Sequence, residues 1–149
     1  MIEIYNQTKQ KINKKIIQKN AQEIFENAIY LTRQEINQKN VKISIVFIGE
    51  KKIKLLNKKY REKNKTTDVL SFGLWKLVHL STEQNYFGEI FICYLKIIKQ
   101  AKTFQHSISK ELKIILIHSI LHLLGYDHKI KKDWEEMKEM EEKLLNYKL

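Results

Sequence analysis

The chain has 149 residues, no proline, four glycines, one cysteine and a formal net charge of +11 at pH 7, a length suited to one domain burying about two-thirds of its unfolded surface. No apolar run approaches a membrane span, and the start, Met1-Ile2-Glu3-Ile4-Tyr5, lacks the charged-then-apolar layout of a signal peptide; a membrane protein is excluded and a soluble cytoplasmic one expected. Cys93 has no second cysteine to pair with, which excludes an internal disulfide, suits a reducing compartment and reads as a small buried apolar residue.

Ile2 to Tyr5 alternates and is expected as a short first strand. From about Ile12 to Asn37, Ile16, Ile17, Ala21, Ile24, Phe25, Ala28, Ile29 and Leu31 recur at helical spacing, so this stretch is expected as an amphipathic helix with one stripe on a core. Lys11, Lys14, Lys15 and Lys19 crowd its start, where they oppose the helix dipole. Val41 to Ile48 is β-branched and partly alternating, a strand ended by Gly49. A helical stripe of Ile53, Leu56 and Tyr60 follows over Lys51 to Tyr60. Asn64 to Thr67 reads as a polar loop, Asp68 to Phe72 as a strand closed by Gly73, and residues 74–86 as a loop in which His79 is a loop histidine. A fourth strand spans Gly88 to Tyr94, and Leu95 to Phe104 is helical. The break over His106 to Ser109 offers a serine to cap the next helix. That helix, about Ser109 to Leu124, is apolar on nearly every side and is expected to be buried and central. Asp133 to Leu145 forms a last helix rich in both charges, with Glu139 and Lys143 in the favourable i, i+4 order. The order predicts an α+β single domain over residues 1–149, a mixed sheet of about four strands packed with about five helices.

Charge is uneven along the chain. Residues 1–65 hold 16 Lys/Arg against 6 Asp/Glu, residues 66–149 hold 12 against 11, and eight Lys/Arg face one acid, Glu62, between Lys51 and Lys65. One basic half suggests an anionic partner, nucleic acid first, bound through phosphates without reading of sequence. A solvated, lysine-biased surface is the bland alternative.

The chemistry concentrates in His118-Ser119-Ile120-Leu121-His122-Leu123-Leu124-Gly125-Tyr126-Asp127-His128. His118 and His122 are one helical turn apart on one face. Gly125 stands where the helix should end, since glycine adopts the left-handed conformation that closes a helix, and the turn can bring His128 back to the pair. Three imidazoles with a fourth position open for water make a catalytic rather than a structural zinc site. The bland alternative is a set of satisfied core histidines, but unpaired imidazoles are awkward in so apolar a run. The spacing H-x-x-x-H-x-x-G-x-x-H is that of the metzincin proteases, with Ser119 in place of their general-base glutamate. The metal chemistry therefore survives and the protease loses its base.

Three separated stretches carry a family resemblance. His118 to His128 resembles the signature of the bacterial YbeY family of metal-dependent endoribonucleases. Thr67-Asp68-Val69-Leu70-Ser71-Phe72 resembles that family's second block, and Leu56-Asn57 with Tyr60-Arg61 the segment before it. The resemblance implies an rRNA maturation factor that processes ribosomal RNA precursors, notably the 3′ end of 16S rRNA, and serves ribosome quality control. It implies one Zn²⁺ per chain on His118, His122 and His128, an arginine in the cleft at Arg61, and single-stranded or ribosomal RNA and the ribosome or its small subunit as partners. Two departures stand out. Ser119 replaces the usual glycine, where its side chain would narrow the cleft or hydrogen-bond a substrate oxygen, and Glu89 follows Gly88 where aspartate is frequent.

On this reading a Zn²⁺ held by neutral imidazoles brings bound water to a pKa near 7, and Arg61 clamps the scissile phosphate. Arg61 as one more surface cation is the alternative. Asp127 is a candidate to orient a ligand or an ordinary turn acid, and Asp68 is equally open. A zinc metallopeptidase and a non-catalytic RNA-binding ribosome assembly factor are the rival functions; chelator-sensitive RNA cleavage separates them.

Overall fold

A computed structural model describes residues 1–73 and 85–147. The elements are β1 (Ile2–Asn6), α1 (Lys14–Thr32), a 3-10 turn at Gln38–Asn40, β2 (Val41–Ile48), α2 (Glu50–Arg61), β3 (Val69–Gly73), β4 (Asn85–Cys93), α3 (Tyr94–Thr103), α4 (Ile108–Leu123) and α5 (Lys131–Asn146). The strands form one sheet in the order β1-β2-β4-β3. β1, β2 and β4 are parallel, and β3 runs antiparallel to β4. The expected α+β class, with a four-stranded mixed sheet and five helices among the described residues, is therefore what the chain adopts.

The period of two along β2 assigns its faces. Ile43, Ile45 and Phe47 join the large core shared by α1, α3, α4 and α5. Val46 and Ile48 point the other way, to Ile53 of α2, Leu70 and Cys93. Both faces are thus covered, which is why β2 reads as a nearly continuous apolar run. Cys93 is free and buried, and burial pushes its thiol pKa up. No helix among the described residues is long and apolar enough to cross a membrane.

Several boundaries differ from expectation. α1 stops at Thr32, not near Asn37, because Arg33 takes a left-handed conformation (φ 55°) and its N–H closes the helix onto Ile29 and Tyr30. α4 begins at Ile108, one residue ahead of the expected Ser109, and the expected serine cap is Ser107, accepting a hydrogen bond from the Lys110 N–H at 3.0 Å. β4 begins at Asn85, ahead of the expected Gly88. The rest of the expected loop, with His79, lies outside the described residues.

One contact decides where α4 sits. Gly73 and Gly88 are partners across the β3–β4 ladder, and Leu123, the last residue of α4, rests on both. A Cβ on Gly88 would lie 2.5 Å from Leu123 Cδ2 and 2.8 Å from the Phe72 carbonyl oxygen. The absence of a side chain there lets the C-terminal turn of α4 lie directly on the strands.

Candidate metal centre

His118 and His122 project from the last two turns of α4. The helix then closes as a Schellman motif. The Gly125 N–H donates to the His122 carbonyl and the Tyr126 N–H to the Leu121 carbonyl, both at 3.0 Å. Gly125 has φ 96°, a conformation that disfavours any side chain. Gln34 braces the same end, its Nε2 donating to the Leu124 carbonyl at 2.9 Å. The chain reverses and returns His128 to the pair, so that one ring nitrogen from each of the three histidines falls within 4.8 Å of the others. The expected convergence is present.

The tautomers follow from the outer partners. The Nδ1–H of His122 donates to the Tyr126 carbonyl at 2.9 Å, and a carbonyl only accepts. The Nδ1–H of His118 donates to the Glu141 carboxylate at 2.6 Å. With the protons on Nδ1, the two Nε2 atoms are the positions left to bind a cation, and they lie 3.1 Å apart. Burial, with His118 and His128 alongside, pulls the His122 pKa down to about 4, so this ring is neutral near pH 7. Two lone pairs directed at one point, with a third imidazole beside them, are the donor set of a metal ion.

Glu141 was not foreseen from the sequence. It stands on α5, with Met137 and Leu144, both buried, on the same stripe. A carboxylate interrupting an apolar stripe was the available signal.

The three histidines open into a groove of about 850 Å³. Its other wall is β3, an edge strand of the sheet, with the end of α2 and the segment that joins them. Arg61, Lys63, Lys65 and Lys129 line it, against Asp68 and Asp127, so the groove is net positive. Arg61 is exposed yet held: its Nη2 donates to the Ser71 carbonyl at 2.8 Å, and the guanidinium lies over the Phe72 ring, 5.2 Å from its centre. Asn57, only 3% exposed, donates from Nδ2 to the Lys65 carbonyl at 2.9 Å and so shapes the segment carrying Lys63 and Lys65.

The remaining candidates separate. Asp68 lines the groove and accepts from Gln100 Nε2 at 3.3 Å. Asp127 accepts from the His128 backbone N–H at 2.7 Å, which lowers its pKa, and lies 3.9 Å from the ring nitrogen of His128. It therefore fixes the turn and does not hydrogen-bond an imidazole. Ser119 is a correction. One residue on from His118 is a rotation of about 100° around the helix, and Ser119 is 0% exposed, its hydroxyl donating to the Ile115 carbonyl at 2.7 Å. It neither narrows the groove nor reaches a substrate. Glu89 sits in β4, paired to Phe72, and is not among the groove-lining residues described.

A family model described as Endoribonuclease YbeY matches residues 3–148. Among curated relatives, Endoribonuclease YbeY of Aster yellows witches'-broom phytoplasma is 39% identical over 79 residues, 53% of this chain and 54% of that protein. The protein of the same name from Malacoplasma penetrans is 47% identical over 62 residues, 42% of this chain and 40% of that protein. The chain spans about half the length, or less, of these curated relatives. The solution structure of TM1509 from Thermotoga maritima superposes with a TM-score of 0.61 at 32% identity, covering 97% of this chain and 87% of that one.

Proposed function

Because the chain belongs to the YbeY endoribonuclease family, we propose that it is a metal-dependent endoribonuclease cutting single-stranded RNA. Its place is rRNA processing in the cytoplasm, at the 3′ end of 16S rRNA, with a part in ribosome quality control on the small subunit. The observation that carries this reading is three imidazoles converging on the floor of a groove whose facing wall is cationic.

Zinc, one ion per chain, suits the donor set. Tetrahedral zinc with Zn–N near 2.0–2.1 Å asks for nitrogens about 3.3 Å apart, and the Nε2 atoms of His118 and His122 stand at 3.1 Å. When bound through three histidines, such an ion supplies Lewis acidity and a water with pKa near 7.

The residues of the chain supply the rest. Glu141 and the Tyr126 carbonyl hold the two helical rings with Nε2 turned towards each other. Asp127 holds the turn that presents His128. Arg61, preset by the Ser71 carbonyl and the Phe72 ring, offers its planar fork to the scissile phosphate and offsets charge that grows there. Lys63, Lys65 and Lys129 draw the polyanion along the groove without reading its bases. Asp68 marks the groove wall opposite the imidazoles as an acidic contact for ribose or solvent. A zinc peptidase lacks support: the position of its general base is Ser119, buried and bonded within its own helix.

The test is metal analysis of the purified protein joined to cleavage of unstructured RNA with and without chelator. About one zinc per chain, cleavage abolished by chelator and restored by zinc, and loss in a folded His118→Ala variant are expected. RNA left intact by the zinc-loaded protein, with binding alone retained, would instead identify an assembly factor.

A further inference from the structure

A second, smaller cleft of about 200 Å³ lies on the far side of the same histidines, lined by His118, His128, Trp134, Met137, Lys138 and Glu141. His118 and His128 thus belong to both spaces. Trp134, on the first turn of α5, is 48% exposed, while Met137 in the floor is 2% exposed. The Lys138 ammonium lies over the Trp134 ring, 4.9 Å from its centre, and must swing off that face, or leave the other one free, for a base to stack. The flat wall, the apolar floor and the cation are placed together beside the metal ligands. The cleft is smaller than the pockets that take whole drug-sized ligands, about 300–1,000 Å³. It suits one planar ring system.

We infer that this cleft is a nucleobase subsite, in which Trp134 stacks the base of a nucleotide next to the scissile phosphate and Lys138 meets the adjoining phosphate. The inference rests on the endoribonuclease reading, since it takes the strand to run from the cationic groove across the imidazoles. Single-strand binding proteins combine such an electropositive track with aromatic platforms, and stacking tolerates any base because every base has a π-face.

The test uses zinc-loaded protein and a series of 2′-O-methyl oligoribonucleotides, each lacking the base at one position, with Kd read by fluorescence anisotropy. The same series in ordinary RNA is read for cleavage. Wild-type protein is expected to lose about tenfold in Kd at one position beside the cleaved bond. Trp134→Ala is expected to bind intact RNA about tenfold more weakly, with bound zinc unchanged, and to lose its sensitivity at that position only. Trp134→Phe should recover most of the binding. Equal Kd for Trp134→Ala and wild type overturns the inference, as does a weakened variant whose base-by-base profile matches that of wild type. Wild-type protein that binds the series but cuts no RNA counts against the nuclease reading, while the Kd profile still decides the subsite.

Discussion

Replacing Glu141 by glutamine tests the metal centre at its least obvious point. The carboxylate lies 2.6 Å from His118 Nδ1, and both side chains are about one-third exposed, 33% and 31%. Loss of such a partner to a ligating histidine costs about 10–100-fold in metal affinity, or about 1.4–2.8 kcal/mol. Glutamine keeps an acceptor oxygen and the side-chain volume and loses only the charge, which roughly halves the hydrogen bond. Solvent screening at this exposure brings the effect toward the lower bound. About tenfold weaker zinc binding is therefore expected for Glu141→Gln, and a larger loss for Glu141→Ala. Competition against a fluorescent chelator reads the affinity. Glu139→Gln is the control, because Glu139 pairs along its own helix with Lys143 at 2.7 Å and should leave zinc binding unchanged. Wild-type affinity in Glu141→Gln, or an equal loss in both variants, would refute the tautomer argument.

Gly125→Ala forces a side chain to φ 96°, expected to cost about 1–2 kcal/mol and, at this chain length, about 2–4 °C in Tm per kcal/mol, read by thermal melting. Gly88→Ala places a methyl 2.5 Å from Leu123 Cδ2 and 2.8 Å from a main-chain oxygen; it should destabilise by about 1–3 kcal/mol and weaken zinc binding with it, whereas Gly73→Ala, which among the described residues meets nothing nearer than Leu123 at 3.6 Å, should melt close to wild type. Arg61→Ala should lower kcat for RNA cleavage by about 10²-fold, with zinc content unchanged by metal analysis and Arg61→Lys recovering only part. The four cations of the groove, Arg61, Lys63, Lys65 and Lys129, set a limit of about −0.7 per contact on the slope of log K against log salt for single-stranded RNA; the double variant Lys63→Ala, Lys65→Ala should make a titration shallower by about 1.4.

What was legible in the sequence was what is local. Val41–Ile48 announced itself by β-branching and is the strand expected. Gly125 announced the end of α4, and the spacing of His118, His122 and His128 announced their meeting. Arg33 gave no such sign, since a left-handed arginine ends α1 where composition would allow another turn. Ser119 adjoins His118 in sequence but not in space, because successive helical residues face about 100° apart. Glu141 escaped because its partner is 23 residues away on another helix. Pairing across helices leaves only a polar residue on an apolar stripe, which also occurs by chance.

The bare pair of Gly73 and Gly88 has a consequence for distance. Gly73 is at once a wall of the groove and the seat of Leu123, which adjoins His122. Two residues back along β3, the Ser71 carbonyl holds the guanidinium of Arg61. The gap between guanidinium and imidazoles is thus gauged by main chain along one short strand, as the jaws of a calliper are gauged by their beam. Side-chain exchange elsewhere in the groove can alter what is gripped, but the width of the grip stays with the strand.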